Sequence, residues 1–329
     1  MAEHQPLLEE YSFRVFKSEP SRKVFKLSTG QGDKSLKGST LPIEDLQFMF
    51  NSMEHLWNRG FYRFARINLT SSGKAFIRQG NRHYFVSDWI SGKEADYRSE
   101  QDVRITAACL AEMHETSKGL SPGSARPPKY SLGEWPENFY RKIGHLQEFL
   151  RETRPKKHKT RFDRLFLRYW DSYYEEALTA LEYLRLSPYQ ELVNHSLLSP
   201  SLCHHDIAHH NVIIRDGQGY LIDFDYCICD LRIHDIASLV IRVLKKNNWN
   251  TAKGEKALKY YHRHSGIWQK ELKVMLPFMM FPQDFWQVAW TYYREDIGRT
   301  EKESLSRMEK VLKMNEQKKE FLREFARWT

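Results

Sequence analysis

Long apolar runs are missing from this sequence. The strongest, residues 274–281, is broken by Pro277, whereas a bilayer-spanning helix needs about 20 such residues, so no membrane span is expected. The opening residues, MAEHQPLLEEY, hold no basic segment followed by an apolar core, and no signal peptide is read there. Cysteine is scarce: Cys109, Cys203, Cys227 and Cys229 show neither the spacing of a disulfide framework nor a CxxC pair. Synthesis in a reducing compartment, the cytoplasm, follows. No internal repeat is evident, and the zinc-hydrolase patterns HExxH and HxHxDH do not occur.

What is present describes a globular chain. With 329 residues, of which 41% are hydrophobic and 28% charged, there is enough apolar material for one large or two modest domains. An aromatic share of 14% favours a core of large, well-packed side chains. The net charge of +9 permits attraction to anions such as ATP, but much of it is local. Residues 151–168 hold eight Lys or Arg and two acids, 8 − 2 = +6. No nucleic-acid motif accompanies that segment, so it reads as a solvated linker between helices and no nucleic-acid partner is expected.

Strands come first in the chain and helices later. Phe13, Val15, Val24 and Lys26 alternate with their neighbours, Gly30-Gln31-Gly32-Asp33 marks a hairpin turn, and Ser35-Leu36-Lys37 closes a third strand. Pro42 then opens a helix in which Ile43, Leu46, Phe50, Met53 and Trp57 recur at helical steps up to Gly60. Further strands are predicted over 74–78 and 83–89. Beyond Gly92 the periodicity predicts helices over 99–117, 136–153, 162–184, 235–246, 254–264, 269–280, 284–297 and 302–327, with a Pro/Ser/Gly-rich loop over 119–128. Segregated strands and helices imply an α+β fold. The expected division is a lobe over 1–92 and a helical lobe over 93–329. The stripe Phe281, Phe285, Trp286, Trp290, Tyr293 reads as helical core or a partner-facing surface.

The most informative stretch is 202–235, LCHHDIAHHNVIIRDGQGYLIDFDYCICDLRIHD. Asp206 is followed five residues later by Asn211, then by an apolar run, a turn at Asp216-Gly217-Gln218-Gly219, and a second apolar run ending in Asp223 and Asp225. The two runs read as a hairpin that sets Asn211 beside Asp223, with Asp206 on the loop leading in. Phosphoryl transfer needs a carboxylate to orient the attacking hydroxyl and hard oxygen ligands for Mg²⁺, which Asp and Asn supply. Asp and Asn are also common turn residues, and a single D-x4-N would not beat that reading. The following hairpin, ending in IDFD, and the later HDIA do. A rival arises from His204, His205, Asp206, His209 and His210, a His/Asp cluster that could serve a metal hydrolase; its spacing fits no such motif.

CHHDIAHHNVII, YLIDFDY and HDIASL, together with VSDWISG and LAEMHE, resemble the aminoglycoside phosphotransferase and choline kinase group. Within it, SLKGSTLPIEDLQFMFNSMEHLWNRGF and FPQDFWQVAWTYY are similar to the CotS-type spore coat kinase-like proteins. The resemblance implies a two-lobed protein-kinase-like fold, with a small β-rich N-lobe that binds nucleotide and a large helical C-lobe. It implies Mg-ATP-dependent phosphoryl transfer to an unidentified hydroxyl acceptor, or a catalytically inactive pseudokinase that helps assemble the spore coat among other coat proteins. By residue it implies Asp206 as catalytic base, Asn211 and Asp223 as metal ligands, Asp225 as a further ligand or a hairpin-end residue, and Asp235 as a structural support of the catalytic loop. It places Lys37 at the ATP phosphates and Glu54 as its ion-pair partner. Two departures stand out: KSEPSR (17–22) has no glycine where phosphate-covering loops carry it, and His205 replaces the small residue of HGD.

Overall fold

The computed structural model describes residues 4–120, 129–295 and 300–329. Most of the loop expected over 119–128 and the last two residues of the helix expected over 284–297 lie outside them. The chain packs as two compact units, one of Met1–Tyr130 with Ser199–Asp230 and one of Ser131–Leu198 with Leu231–Thr329.

In the first unit a short helix α1 (Gln5–Leu8) precedes three strands, β1 (Val15–Ser21), β2 (Val24–Thr29) and β3 (Gly32–Ser39). They pair antiparallel in sequence order through two tight turns. At the second turn Gly32 takes φ 89°, a left-handed conformation that glycine reaches without strain. Helix α2 (Ile43–Asn58) follows, with Pro42 as its N-cap rather than inside its first turn. Strands β4 (Ile67–Asn68), β5 (Ile77–Gln79) and β6 (Arg82–Asp88) complete a sheet of order β1-β2-β3-β6-β4, with β5 on β6. One face closes over Leu8, Tyr11, Phe13, Leu27, Leu36 and Val86.

Strand β7 (Lys93–Glu94) pairs with β9 (Val212–Arg215), itself hairpinned to β10 (Gln218–Leu221), and β8 (Leu202–Cys203) pairs with β11 (Ile228–Cys229). Gly92 is required where the chain crosses β9: a Cβ there would lie 2.5 Å from the carbonyl oxygen of Ile214. Helix α3 (Glu100–Ser117), capped by the Ser99 side chain, packs on β10.

Among its described residues the second unit's regular elements are all helices. It comprises α4 (Trp135–Thr153), α5 (Arg161–Leu186), α6 (Tyr189–Leu198), α7 (Ile233–Lys246), α8 (Thr251–His264), α9 (Gln269–Met280), α10 (Gln283–Arg294), α11 (Glu301–Lys313) and α12 (Asn315–Phe325). Helix α6, ten residues between Pro188 and Pro200, has no counterpart among the sequence expectations, because so short a segment carries only a weak periodic signal. The single helix expected over 302–327 breaks at Met314, which caps both α11 and α12. Asn315, the first residue of α12, donates to Glu176 of α5 at 3.3 Å, a tertiary contact that local periodicity cannot announce.

The basic segment 151–168 holds the α4–α5 linker, as expected, but not all of it is solvated. Lys156 pairs at 3.0 Å with buried Asp163, which also closes a capping box with Thr160 and accepts from the Tyr293 hydroxyl. The aromatic stripe is core: Phe281 and Phe285 are buried, and Trp286, Trp290 and Tyr293 pack against Phe149, Phe162 and Phe166.

Candidate active site

Strand alternation begins the site. Leu36 of β3 faces the apolar core, so the side chain of Lys37 leaves from the opposite face. Its amine stands 2.6 Å from Asp223 Oδ1 and 2.8 Å from Asp225 Oδ2. Both carboxylates reach one amine because β10 ends in a sharp turn. Asp223 adopts φ 65°, ψ 65°, and residues Phe224–Tyr226 form a single 3-10 turn. Aspartate is among the few non-glycine residues that take this left-handed conformation readily. Buried Phe224 anchors the turn between the rings of Phe64 and His204, at 5.8 and 4.7 Å.

The electrostatics follow from that cluster. Burial pushes the Asp223 carboxyl up, but the Lys37 ammonium beside it more than offsets this, Lys23 adds to it, and the net direction is down. For Lys37, burial pulls down while Asp225 and Asp223 push up, and the net direction is up. A lowered Asp and a raised Lys both stabilise the fold between their ordinary titration ranges. That contribution fades as pH falls through the Asp223 range, and again as pH rises through that of Lys37.

The catalytic-loop stretch is fixed by backbone and amide contacts. Asn211, 2% exposed, donates from Nδ2 to the Asp206 carbonyl oxygen at 3.0 Å and to Asp206 Oδ2 at 2.9 Å. Its own carbonyl accepts from the Ile222 N–H at 3.0 Å, which ties the start of β9 to the end of β10. Since the amide nitrogen must face those two acceptors, Oδ1 points the other way, and it carries no hydrogen bond among the described residues. His204 is fully buried; Nε2 contacts the Ile222 carbonyl at 3.0 Å and Nδ1 accepts from the Asp206 N–H at 3.4 Å. The buried Tyr97 hydroxyl donates to the Ile207 carbonyl at 3.0 Å.

His205, in place of a small residue, does take the conformation that favours glycine, φ 68°. His205→Gly is expected to be more stable than His205→Ala by about 1 kcal/mol, since both delete the imidazole and only glycine relieves the left-handed backbone. Urea unfolding of the two variants measures the difference; equal midpoints would show that the loop carries no strain there.

The expected site residues fall as follows. Lys37, Asp206, Asn211, Asp223 and Asp225 all lie in the first unit, and each has at least one of the others within hydrogen-bonding distance. Glu54 is not brought to Lys37: its carboxylate is held by Arg66 in a two-point contact at 3.0 and 3.2 Å. Asp235 belongs to the second unit, fully buried in the first turn of α7 with Oδ1 3.5 Å from His234 Nδ1. Among the described residues, no three of His204, His205, Asp206, His209 and His210 converge as metal ligands.

Sequence reasoning missed the turn between β1 and β2. Ser21 pairs with Val24, so only Arg22 and Lys23 form the tip, with Arg22 at φ 54° and paired to Glu94 at 2.5 Å. Glu19, which would repel phosphate, is neutralised by Lys17 at 2.5 Å. Two adjacent cations at a two-residue hairpin tip were the available signal.

Comparison with known proteins shows the family and the fold. A family model described as "Spore coat putative kinase YutH" matches residues 9–325. Spore coat protein S of Bacillus subtilis (strain 168) is 23% identical over 293 residues, covering 87% of this chain and 83% of that protein. The structure of an aminoglycoside phosphotransferase from Alicyclobacillus acidocaldarius superposes with a TM-score of 0.84 at 21% identity, covering 97% of this chain and 94% of that one. The spectinomycin phosphotransferase APH(9)-Ia, solved with ADP and spectinomycin, gives 0.69 at 12% identity, covering 97% and 98%. The fold is therefore α+β and protein-kinase-like, with a β-sheet N-terminal region and a mostly helical C-terminal region.

Proposed function

This chain belongs to the YutH family of spore coat kinase-like proteins, and from that premise we propose that it transfers the γ-phosphoryl group of Mg-ATP to a hydroxyl acceptor. The observation that carries the reading is the Lys37 amine seated between Asp223 and Asp225, with Asp206 and Asn211 joined beside β9. A surface lysine and ordinary turn residues have little reason to gather this way, since drawing Lys37 and Asp225 partly out of water is costly unless the charges serve one another.

The donors suit magnesium. Asp223 and Asp225 offer carboxylate oxygens, and Asn211 Oδ1 is left without a hydrogen-bond partner by the orientation its amide must take. These are hard oxygens of the kind Mg²⁺ selects. Held by these residues, the ion would supply positive charge against the negative charge that develops during phosphoryl transfer. Lys37 then turns from the carboxylates to the nucleotide phosphates. Asp206, its carboxylate aimed by the Asn211 amide, orients the acceptor hydroxyl and takes its proton. Lys23 and Arg22 at the β1–β2 tip supply the positive charge that the absent glycine loop would otherwise supply through backbone N–H groups. The protein is made in the cytoplasm and takes its place among other spore coat proteins.

A second reading, a coat scaffold without turnover, is favoured by the glycine-free tip and by His205 in the left-handed region. Thermal unfolding with Mg-ATP separates the two. At about 100 times its dissociation constant a ligand adds roughly 2.7 kcal/mol, so the natural chain is expected to gain several degrees, and Asp223→Asn to lose most of that gain. No shift at millimolar Mg-ATP would leave the scaffold.

A further inference from the structure

Helix α5 (Arg161–Leu186) packs against α4, α9 and α11 and turns its remaining face to water. On that face Arg161, Arg164, Arg168, Asp171, Glu175 and Glu182 follow one another at helical steps of three, four or seven residues. All six are exposed, and among the described residues none of them pairs with an opposite charge. At about 1.5 Å of rise per residue the line is about 30 Å long.

Its signs are sorted, bases in the N-terminal half and acids in the C-terminal half. A helix that faces only water gains from opposite charges four residues apart and loses from like ones. Here Arg164 and Arg168 are neighbours at that distance, as are Asp171 and Glu175. The order also opposes the helix dipole, whose N-terminal end favours acids and whose C-terminal end favours bases. Asp163, the one acid of the first turn, is buried against Lys156, and Arg185 is the only base of the helix beyond Arg168. One kind of neighbour relieves both faults: a helix whose line carries the opposite order of signs. An antiparallel copy of α5 is such a helix.

We propose that this face of α5 joins two copies of the chain in a two-fold dimer. An isologous contact opposes one surface to itself, so it needs a self-complementary pattern. Centred between Asp171 and Ser172, the antiparallel pairing sets Arg161 opposite the partner's Glu182 and Arg168 opposite the partner's Glu175. Each pair occurs twice by symmetry, and no two like charges stand opposite. The same register brings Leu165 to the partner's Leu178, which is 43% exposed in the single chain. Exposed ion pairs add little each and weaken with salt, so the association is weak and depends on ionic strength. The face belongs to the second unit and takes in none of Lys37, Asp206, Asn211, Asp223 and Asp225, so the dimer does not depend on turnover.

Sedimentation of the full chain from about 1 to 100 µM is expected to pass from one chain mass, 39.3 kDa, to two. Raising salt to about 0.5 M is expected to weaken the dimer about tenfold. Glu175→Arg with Glu182→Arg makes the four paired positions wholly basic, and Arg161→Glu with Arg168→Glu makes them wholly acidic. Each double variant alone should self-associate about tenfold more weakly or worse. An equimolar mixture of the two should dimerise again, since all four contacts are then opposite in sign. Ser172→Cys, beside the centre, is expected to cross-link to its own copy with a short bismaleimide, and Tyr62→Cys, exposed in the first unit, is not; the natural cysteines are all buried. That readout keeps the natural charges and holds even if a double variant fails to fold. A natural chain that stays monomeric, a dimer indifferent to both double variants, a folded mixture that stays monomeric, or equal cross-linking of the two cysteine variants would overturn the proposal.

Discussion

Asp206→Asn is expected to lower steady-state ATP turnover, read as ADP release with and without candidate hydroxyl acceptors, by about 10²–10⁴-fold, the usual contribution of a positioned base. The substitution keeps the shape of the side chain and an oxygen for the Asn211 amide, now 2.9 Å from Asp206 Oδ2. It removes the charge that, in the proposed function, takes the acceptor proton. Mg-ATP stabilisation should survive, because Asp206 is joined to Asn211 whereas Asp223 and Asp225 hold Lys37. The pair of readouts separates the base from the metal ligands: Asp223→Asn loses binding and turnover together, Asp206→Asn turnover alone. A turnover within a few-fold of the natural chain would remove Asp206 from that role.

Phe166→Ala is expected to destabilise the second unit by about 3–5 kcal/mol, the range for emptying a buried aromatic site. Phe166 is fully buried, stacked on Phe285 at 5.6 Å and met edge-on by Phe149 and Tyr293 at 6.4 and 5.4 Å. These rings come from three helices, so no single neighbour can close the void. Tyr140, 64% exposed on α4, is the matched control, and its replacement by Ala should stay within about 0.5 kcal/mol. Urea unfolding measures both. A loss below about 1 kcal/mol at Phe166 would mean that the aromatic cluster repacks freely.

Legibility in the sequence tracked the range of the interactions involved. The β2–β3 hairpin was visible because Gly30-Gln31 forms a two-residue turn followed by Gly32, and β9–β10 because Asp216-Gly217 separates two β-branched or aromatic runs. Helices α3, α4, α5 and α7 to α10 were visible within a few residues of their bounds, since each buries one periodic stripe. The strands of two residues, β4, β7, β8 and β11, were not. Two residues have no period, and these form only because a partner strand is already in place. The same limit hid the break at Met314 and the short helix α6.

The candidate site divides along that line too. The residue types and their spacing by themselves determined which side chains could do the chemistry: an acid, an amide five residues on, and two acids after a hairpin, with a lysine on the third strand. They could not determine who pairs with whom. Lys37 meets Asp225 as well as Asp223, while Glu54, placed on the expected helix, is held by Arg66. Ion pairing depends on the direction in which each side chain leaves its element and on competing charges 12 or 186 residues away. The left-handed backbone at His205 and Asp223 was likewise decided in three dimensions. Periodicity and motif spacing report on neighbours along the chain, and only the packed structure specifies neighbours in space.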